Sequence, residues 1–221
     1  MTALTVYGNT AASSTLSTAA SMASVAGGAS SSKDTKLGTA TGYSELFGLG
    51  TAGAWSGAGS IGAVSGNGWL WDVTTLEGQQ IISGNWTPTL RLQIAGGGTP
   101  SVTASLYVIA YVRSSGGSYT QIGSTMQLLA QTLNGTTTNY TFSATSLPLQ
   151  SFNVGDRLYF ATWANVTANT GTSSANVIRV FESNTASTGA ANLFQIVTPG
   201  YQIQSVSKPF YGMNKGVGRI Q

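Results

Sequence analysis

Six carboxylates, Asp34, Glu45, Asp72, Glu77, Asp156 and Glu182, are the main proton-transfer groups in this chain, which contains no His and no Cys. Without His there is no Ser-His-Asp relay, and without Cys there is no thiolate nucleophile. The same two absences remove most zinc and iron sites. A hydrolase built on carboxylates alone needs two of them converging across a cleft, about 5–10 Å apart. Asp72 and Glu77 are close enough in sequence to be tested as such a pair, but Asp72 reads better as a turn residue or an arginine partner. No run of acids has EF-hand spacing, so calcium would depend on loop carbonyls. The expectation is a chain with no catalytic residue, no metal ligand and no cofactor, and therefore not an enzyme.

Two stretches match the dinucleotide fingerprint literally, Gly48–Gly53 and Gly57–Gly62. The chemistry requires a strand before the glycines and a helix after them, its N-terminus meeting the pyrophosphate. No helical pattern follows either stretch, so both read as chance matches in a Gly-rich passage. Asn85, Asn134, Asn139 and Asn165 each begin a glycosylation sequon, which abundant Ser and Thr produce by accident. Trp69 and Trp71 share a strand face and suit core packing better than sugar stacking.

The elements that must position these groups are set by an unusual composition. Charged residues make up 7% of the 221 positions, against about 25% in an ordinary soluble domain. Ser and Thr supply roughly a quarter of the chain. The surface is therefore covered by hydroxyls and amides, which cost far less to desolvate than ions. That suits a protein packed against copies of itself. Nine Lys and Arg against six acids give a net charge of +3. They are scattered, and only Lys208, Lys215 and Arg219 approach a cluster, so no basic stripe for nucleic acid is expected. No apolar run is long enough to span a membrane as a helix. Ser24-Val25-Ala26 resembles a signal-cleavage site but lacks the basic and apolar stretches that should precede it.

Leu, Ile, Val and Phe fill 10 of the first 68 positions and 38 of the remaining 153. Residues 1–40 read as a low-complexity Ser/Ala/Thr arm, and 41–68 as a Gly-rich passage packing on the body. A β-sandwich is expected over 69–200, with a tail at 201–221. The arm has too few apolar anchors to offset its ordering entropy, so docking onto neighbouring subunits is expected to hold it. Leu4, Val6 and Tyr7 are its candidate assembly contacts. Strict alternation over 102–113 and 158–166 marks two long strands. Shorter ones are expected near 69–75, 78–83, 86–95, 119–133, 137–145, 174–182 and 192–198. Many short strands with Gly-rich or Asn-rich turns imply an all-β fold, a jelly-roll-like or Greek-key sandwich with an extended N-terminal arm.

Both faces of the two long strands carry apolar side chains. One face meets the opposing sheet. The other holds Tyr107, Ile109 and Tyr111 on one strand and Tyr159 and Trp163 on its neighbour. A solvated face would show cleaner polar alternation. Three covers fit: the chain's own N-terminal passage, another subunit, or a host surface glycan stacked on Tyr107, Tyr111, Tyr159 and Trp163.

The run Gly66-Asn67-Gly68-Trp69-Leu70-Trp71-Asp72, continuing through Leu76–Pro88, resembles a recurring opening in virion proteins of tailed bacteriophages. Residues 119–124 and 151–160 are similar to later strands of those proteins. The likeness spans roughly 36–200 and its motifs are structural. It implies a β-sandwich virion component of the decoration, head-fibre or tail-appendage kind, anchored through its arm. Its partners would be other virion proteins and copies of itself, with neither nucleic acid nor membrane among them. A glycan- or receptor-binding module is the alternative.

Overall fold

The computed structural model describes residues 3–23, 30–46, 54–71, 78–97, 100–183 and 194–203, and every regular element among them is a β-strand. The first four are β1 (Leu4–Ala12), β2 (Ala20–Ala23), β3 (Ser30–Lys36) and β4 (Gly42–Leu46). Then come β5 (Trp69–Trp71), β6 (Gln79–Ile81), β7 (Gly84–Ala95), β8 (Val102–Arg113), β9 (Tyr119–Gln121) and β10 (Met126–Leu133). After them run β11 (Thr138–Thr141), β12 (Thr145–Leu147), β13 (Gln150–Ser151) and β14 (Arg157–Asn169). The last three are β15 (Val177–Ser183), β16 (Gln195–Thr198) and β17 (Tyr201–Ile203). The all-β class expected from the alternation is what the chain adopts.

The two longest strands form the centre of one layer. β8 and β14 pair antiparallel, with Tyr159 opposite Tyr111 and Trp163 opposite Tyr107. Because side chains alternate across a strand, Val102, Ala104, Leu106, Val108 and Ala110 of β8 share the inner face with Leu158, Phe160, Ala164 and Val166 of β14. The opposing layer, built on β7, contributes Trp86, Leu90, Leu92 and Ile94 to the same core. Trp86 and Phe160 meet across the layers with ring centroids 6.0 Å apart. Each fully buried side chain of this size is worth about 1.5–3 kcal/mol, so this seam dominates the stability of the sandwich.

One sheet makes both layers. Its strands run β10-β8-β14-β5-β2-β1-β16-β7-β15-β3, and β4, β9, β11 and β12 pair alongside this path. The bridge from one layer to the other is the hairpin of β1 and β2. β2 lies parallel to β5, and β1 lies antiparallel to β16, with Leu4 opposite Thr198 and Val6 opposite Ile196. A second, three-stranded sheet pairs β6 with β13 and β17.

This corrects the expected arm. The N-terminal segment is extended, but its strands belong to the chain's own sheet, and strand structure begins at Leu4 rather than near Trp69. Val6 is fully buried in the core. Leu4 packs against that core, and Tyr7 is held in register between Ala23 and Gln195. These three residues are internal contacts, not free anchors for a neighbour. The segment needs few large side chains because small ones let aromatics close in. A Cβ on Gly8 would lie 2.6 Å from Phe194 Cδ1, and Ala19 and Ala20 are fully buried. β3 pairs along β15, where Asp34 opposite Arg179 forms a bidentate ion pair at 2.8 and 2.9 Å. At the other end, Tyr201–Ile203 joins the small sheet. Lys208, Lys215 and Arg219 lie outside the described residues.

Candidate functional site

The outer face of β8 and β14 carries a second apolar cluster, separate from the sandwich core. It contains Ala19, Leu70, Tyr107, Ile109, Tyr111, Tyr159, Ala161 and Trp163. The four candidate contact aromatics are therefore brought together, as their alternation required, but they are covered. Tyr159 is fully buried, and Tyr107, Tyr111 and Trp163 keep less than a tenth of their surface. Leu16, Tyr43, Ile61, Val64 and Tyr119 pack onto them. Of the three covers the sequence allowed, the chain's own N-terminal passage is the one found. A glycan or subunit platform at Tyr107, Tyr111, Tyr159 and Trp163 is corrected, because those rings have no open face.

The cover is residues 54–66. Ala58 and Tyr43 exchange both backbone hydrogen bonds at 2.9 Å, clipping the passage to β4. Trp55 donates its backbone N–H to the Lys36 carbonyl at 2.9 Å and its ring N–H to the Thr41 carbonyl at 3.0 Å. The Ser56 hydroxyl donates to the Tyr43 carbonyl at 2.7 Å. The far end is fixed where the Thr18 hydroxyl donates to the Gly66 carbonyl at 2.9 Å. Gly62 crosses the Trp163 ring so closely that a Cβ would stand 3.3 Å from it. This stretch includes one of the two fingerprint matches, Gly57–Gly62, and no helix follows it. Gly48–Gly53 lies outside the described residues.

Inside the covered face lies a residue the sequence did not single out. Glu45 stands opposite Trp163 in the β4–β14 register and is only 4% exposed. Its Oε1 is buried with no hydrogen-bond partner. Burial raises its carboxyl from the ordinary 4.5 to about 7, a shift that the Ser65 hydroxyl, on the covering passage, partly opposes. Burial and then the Glu45 charge push the Tyr111 and Tyr159 phenols up. Tyr107 also rises, through burial and its hydrogen bond with Tyr43. The rings interlock. Tyr119 meets Tyr159 edge-on at 4.9 Å, and Tyr43 meets Tyr107 at 5.8 Å. The one signal available in the sequence was the alternation of Glu45 with Tyr43, which puts an acid on an aromatic face.

Two other acids, Asp34 and Asp156, have structural partners. Asp34 holds Arg179, and Asp156 accepts the Asn153 backbone N–H at 2.9 Å. Asp72 and Glu77, the pair considered for hydrolysis, lie outside the described residues. Among the described residues no group of three or more metal-ligating side chains comes together.

No family model matches the chain, and no curated protein matches it. Among solved structures it is similar to an aminopeptidase from the marine sediment archaeon Thaumarchaeota archaeon, with a TM-score of 0.37 and 13% identity. That likeness covers 61% of this chain and 25% of the other, so the chain matches about a quarter of that protein's length. Similarity at this level carries no argument about activity.

Proposed function

We propose that this chain is a non-enzymatic structural component of a bacteriophage particle, of the capsid-decoration or fibre-like kind, assembling with copies of itself and other virion proteins. The observation that supports this best is the contrast between interior and surface. The large aromatic faces are used up within the chain, while a chain of 7% charged residues leaves a surface of hydroxyls and amides. Such a surface is inexpensive to desolvate over a wide area, as close packing on a particle requires. The described carboxylates also favour a structural reading, since Asp34 and Asp156 are committed to ion-pair or turn contacts and Glu45 lies beneath a cover. With β1–β3 folded into the body, attachment falls to outer surfaces and sheet edges rather than to a free arm.

The test is protein mass spectrometry on density-banded particles from the phage or prophage that encodes the chain. The chain is expected in fixed stoichiometry to the major capsid or tail proteins. Its absence from banded particles, together with its accumulation as free protein in the lysate, overturns the proposal.

A further inference from the structure

The covering passage and the buried acid beneath it form one device. We propose that residues 54–66 are a proton-dependent strap, closed over the tyrosine face while the Glu45 carboxyl carries its proton and released when that proton leaves. The geometry sets this up from two sides. Glu45 is 4% exposed and its Oε1 has no partner. A neutral carboxyl tolerates that position far better than a carboxylate, whose lost hydration is replaced only by the Ser65 hydroxyl. The groups facing it are Tyr43 on its own strand, Tyr107 and Tyr111 from β8, Tyr119 from β9, Tyr159 and Trp163 from β14, and Ser65 from the strap. None carries positive charge. Two guanidiniums share the outer face, Arg113 of β8, which lies over the Tyr119 ring at 6.0 Å, and Arg157 opposite it on β14, and no cation contributes to the Glu45 shift.

The strap is the part able to yield. It contains no strand, and only Ile61 and Val64 anchor its middle, while Gly59, Ser60, Gly62, Ala63 and Ser65 are exposed. Few apolar contacts and exposed backbone mark the low end of local stability. β8 and β14 beneath it are paired along their length. When Glu45 ionises, lifting the strap lets water reach the carboxylate at the cost of the Trp55, Ile61 and Val64 contacts and of the hydrogen bonds that clip the passage to Lys36, Thr41, Tyr43 and Thr18, whereas opening the sandwich would expose its core. Local release is the easier response.

In the open form Glu45 is hydrated and its carboxyl returns to the ordinary range. Closed, it titrates near 7. Strap closure is therefore strongest below about 4.5 and weakens as the pH rises through about 7. The full difference is worth about two orders of magnitude in the closing equilibrium.

Hydrogen exchange with mass spectrometry on the full chain, corrected for the intrinsic rate at each pH, tests this. Peptides covering 54–66 are expected to lose up to about a hundredfold of protection between pH 5 and pH 8.5, while β8 and β14 keep theirs. Glu45→Gln is expected to remove the pH dependence. Ser65→Ala, at an exposed position, is expected to leave pH 5 unchanged and to increase opening at pH 8.5, because it removes the hydroxyl that favours the carboxylate. Equal protection of the strap at both pH values in the wild type overturns the proposal, as does a folded Glu45→Gln protein that keeps the loss. If that variant does not fold, the wild-type profile and Ser65→Ala decide. An unchanged Ser65→Ala profile counts against the strap.

Discussion

The backbone N–H of Gly68 donates to the Tyr159 hydroxyl at 2.7 Å, at a point where a Cβ would collide with the Phe160 carbonyl. The contact joins the end of the covering passage to the central strand of the outer face. It also satisfies the one polar atom of a fully buried tyrosine.

Gly68→Ala is therefore expected to be among the most damaging single changes, because neither the Phe160 carbonyl nor the Tyr159 ring has room to retreat. Overpacking of this kind costs about 1–3 kcal/mol or more. Tyr159→Phe keeps the packing and strands one buried N–H, at about 1–3 kcal/mol. Urea unfolding of both variants checks the ranking. Gly68→Ala within 0.5 kcal/mol of wild type, by the ordinary margin for surface changes, contradicts the close approach.

The N-terminal hairpin is expected to be essential to the fold. Val6→Ala removes two methyl groups from the fully buried core and should cost about 1–3 kcal/mol. Deleting residues 1–23 removes the bridge between β5 and β16 and bares two strand edges. That truncation is expected to aggregate or to lose its cooperative thermal transition, as read by circular dichroism and size-exclusion chromatography. A monodisperse, cooperatively folding truncation contradicts the bridging role.

The pH dependence of global stability has a defined sign. Glu45 has a folded-state value of about 7, above the ordinary 4.5. The folded state therefore holds the extra proton between those values, and stability falls as pH rises through them. Full stabilisation is present below about 4.5, and the loss is complete above about 7. Its ceiling is about 3 kcal/mol, and it stops earlier if lifting the strap costs less than that. Denaturant midpoints from pH 4 to 8.5 for wild type and Glu45→Gln check the sign. A wild-type protein that gains stability over that range contradicts it.

Asp34→Asn is expected to matter little. Both partners of the Arg179 pair keep a third of their side-chain surface, so solvent screens the interaction to at most about 1 kcal/mol. Thermal melting at low and high salt reads this directly, with a small wild-type decrease in salt that the variant lacks.

The body of the fold was legible because its strands advertise themselves. Alternation along 102–113 and 158–166 marked two strands and both their faces, and apolar residues on the second face signalled that something must cover it. The identity of the cover was not legible. Ile61 and Val64 are isolated in a Gly-rich stretch whose hold on the body is mostly backbone hydrogen bonding, which leaves no periodic trace. The N-terminal strands were hidden for a related reason. Gly8, Ala19 and Ala20 fit because they are small, so the hydrophobic count that marks a core strand undercounts them. Glu45 reads as one acid among six, since its alternation with Tyr43 places it on an aromatic face but does not reveal that the Gly-rich passage closes over that face.

Leu4 lies opposite Thr198 in the closed sheet. The ribosome therefore releases the first strand long before its partner exists. At about 5–20 residues per second, that edge waits unpaired for roughly 10–40 seconds, and the sandwich cannot seal until β16 has been made. During that interval the strand is open to the wrong neighbour, including the same strand of another nascent chain on the polysome. Six of its nine residues are Thr, Ala, Gly or Asn, which leaves only Leu4, Val6 and Tyr7 to adhere and makes the delay survivable.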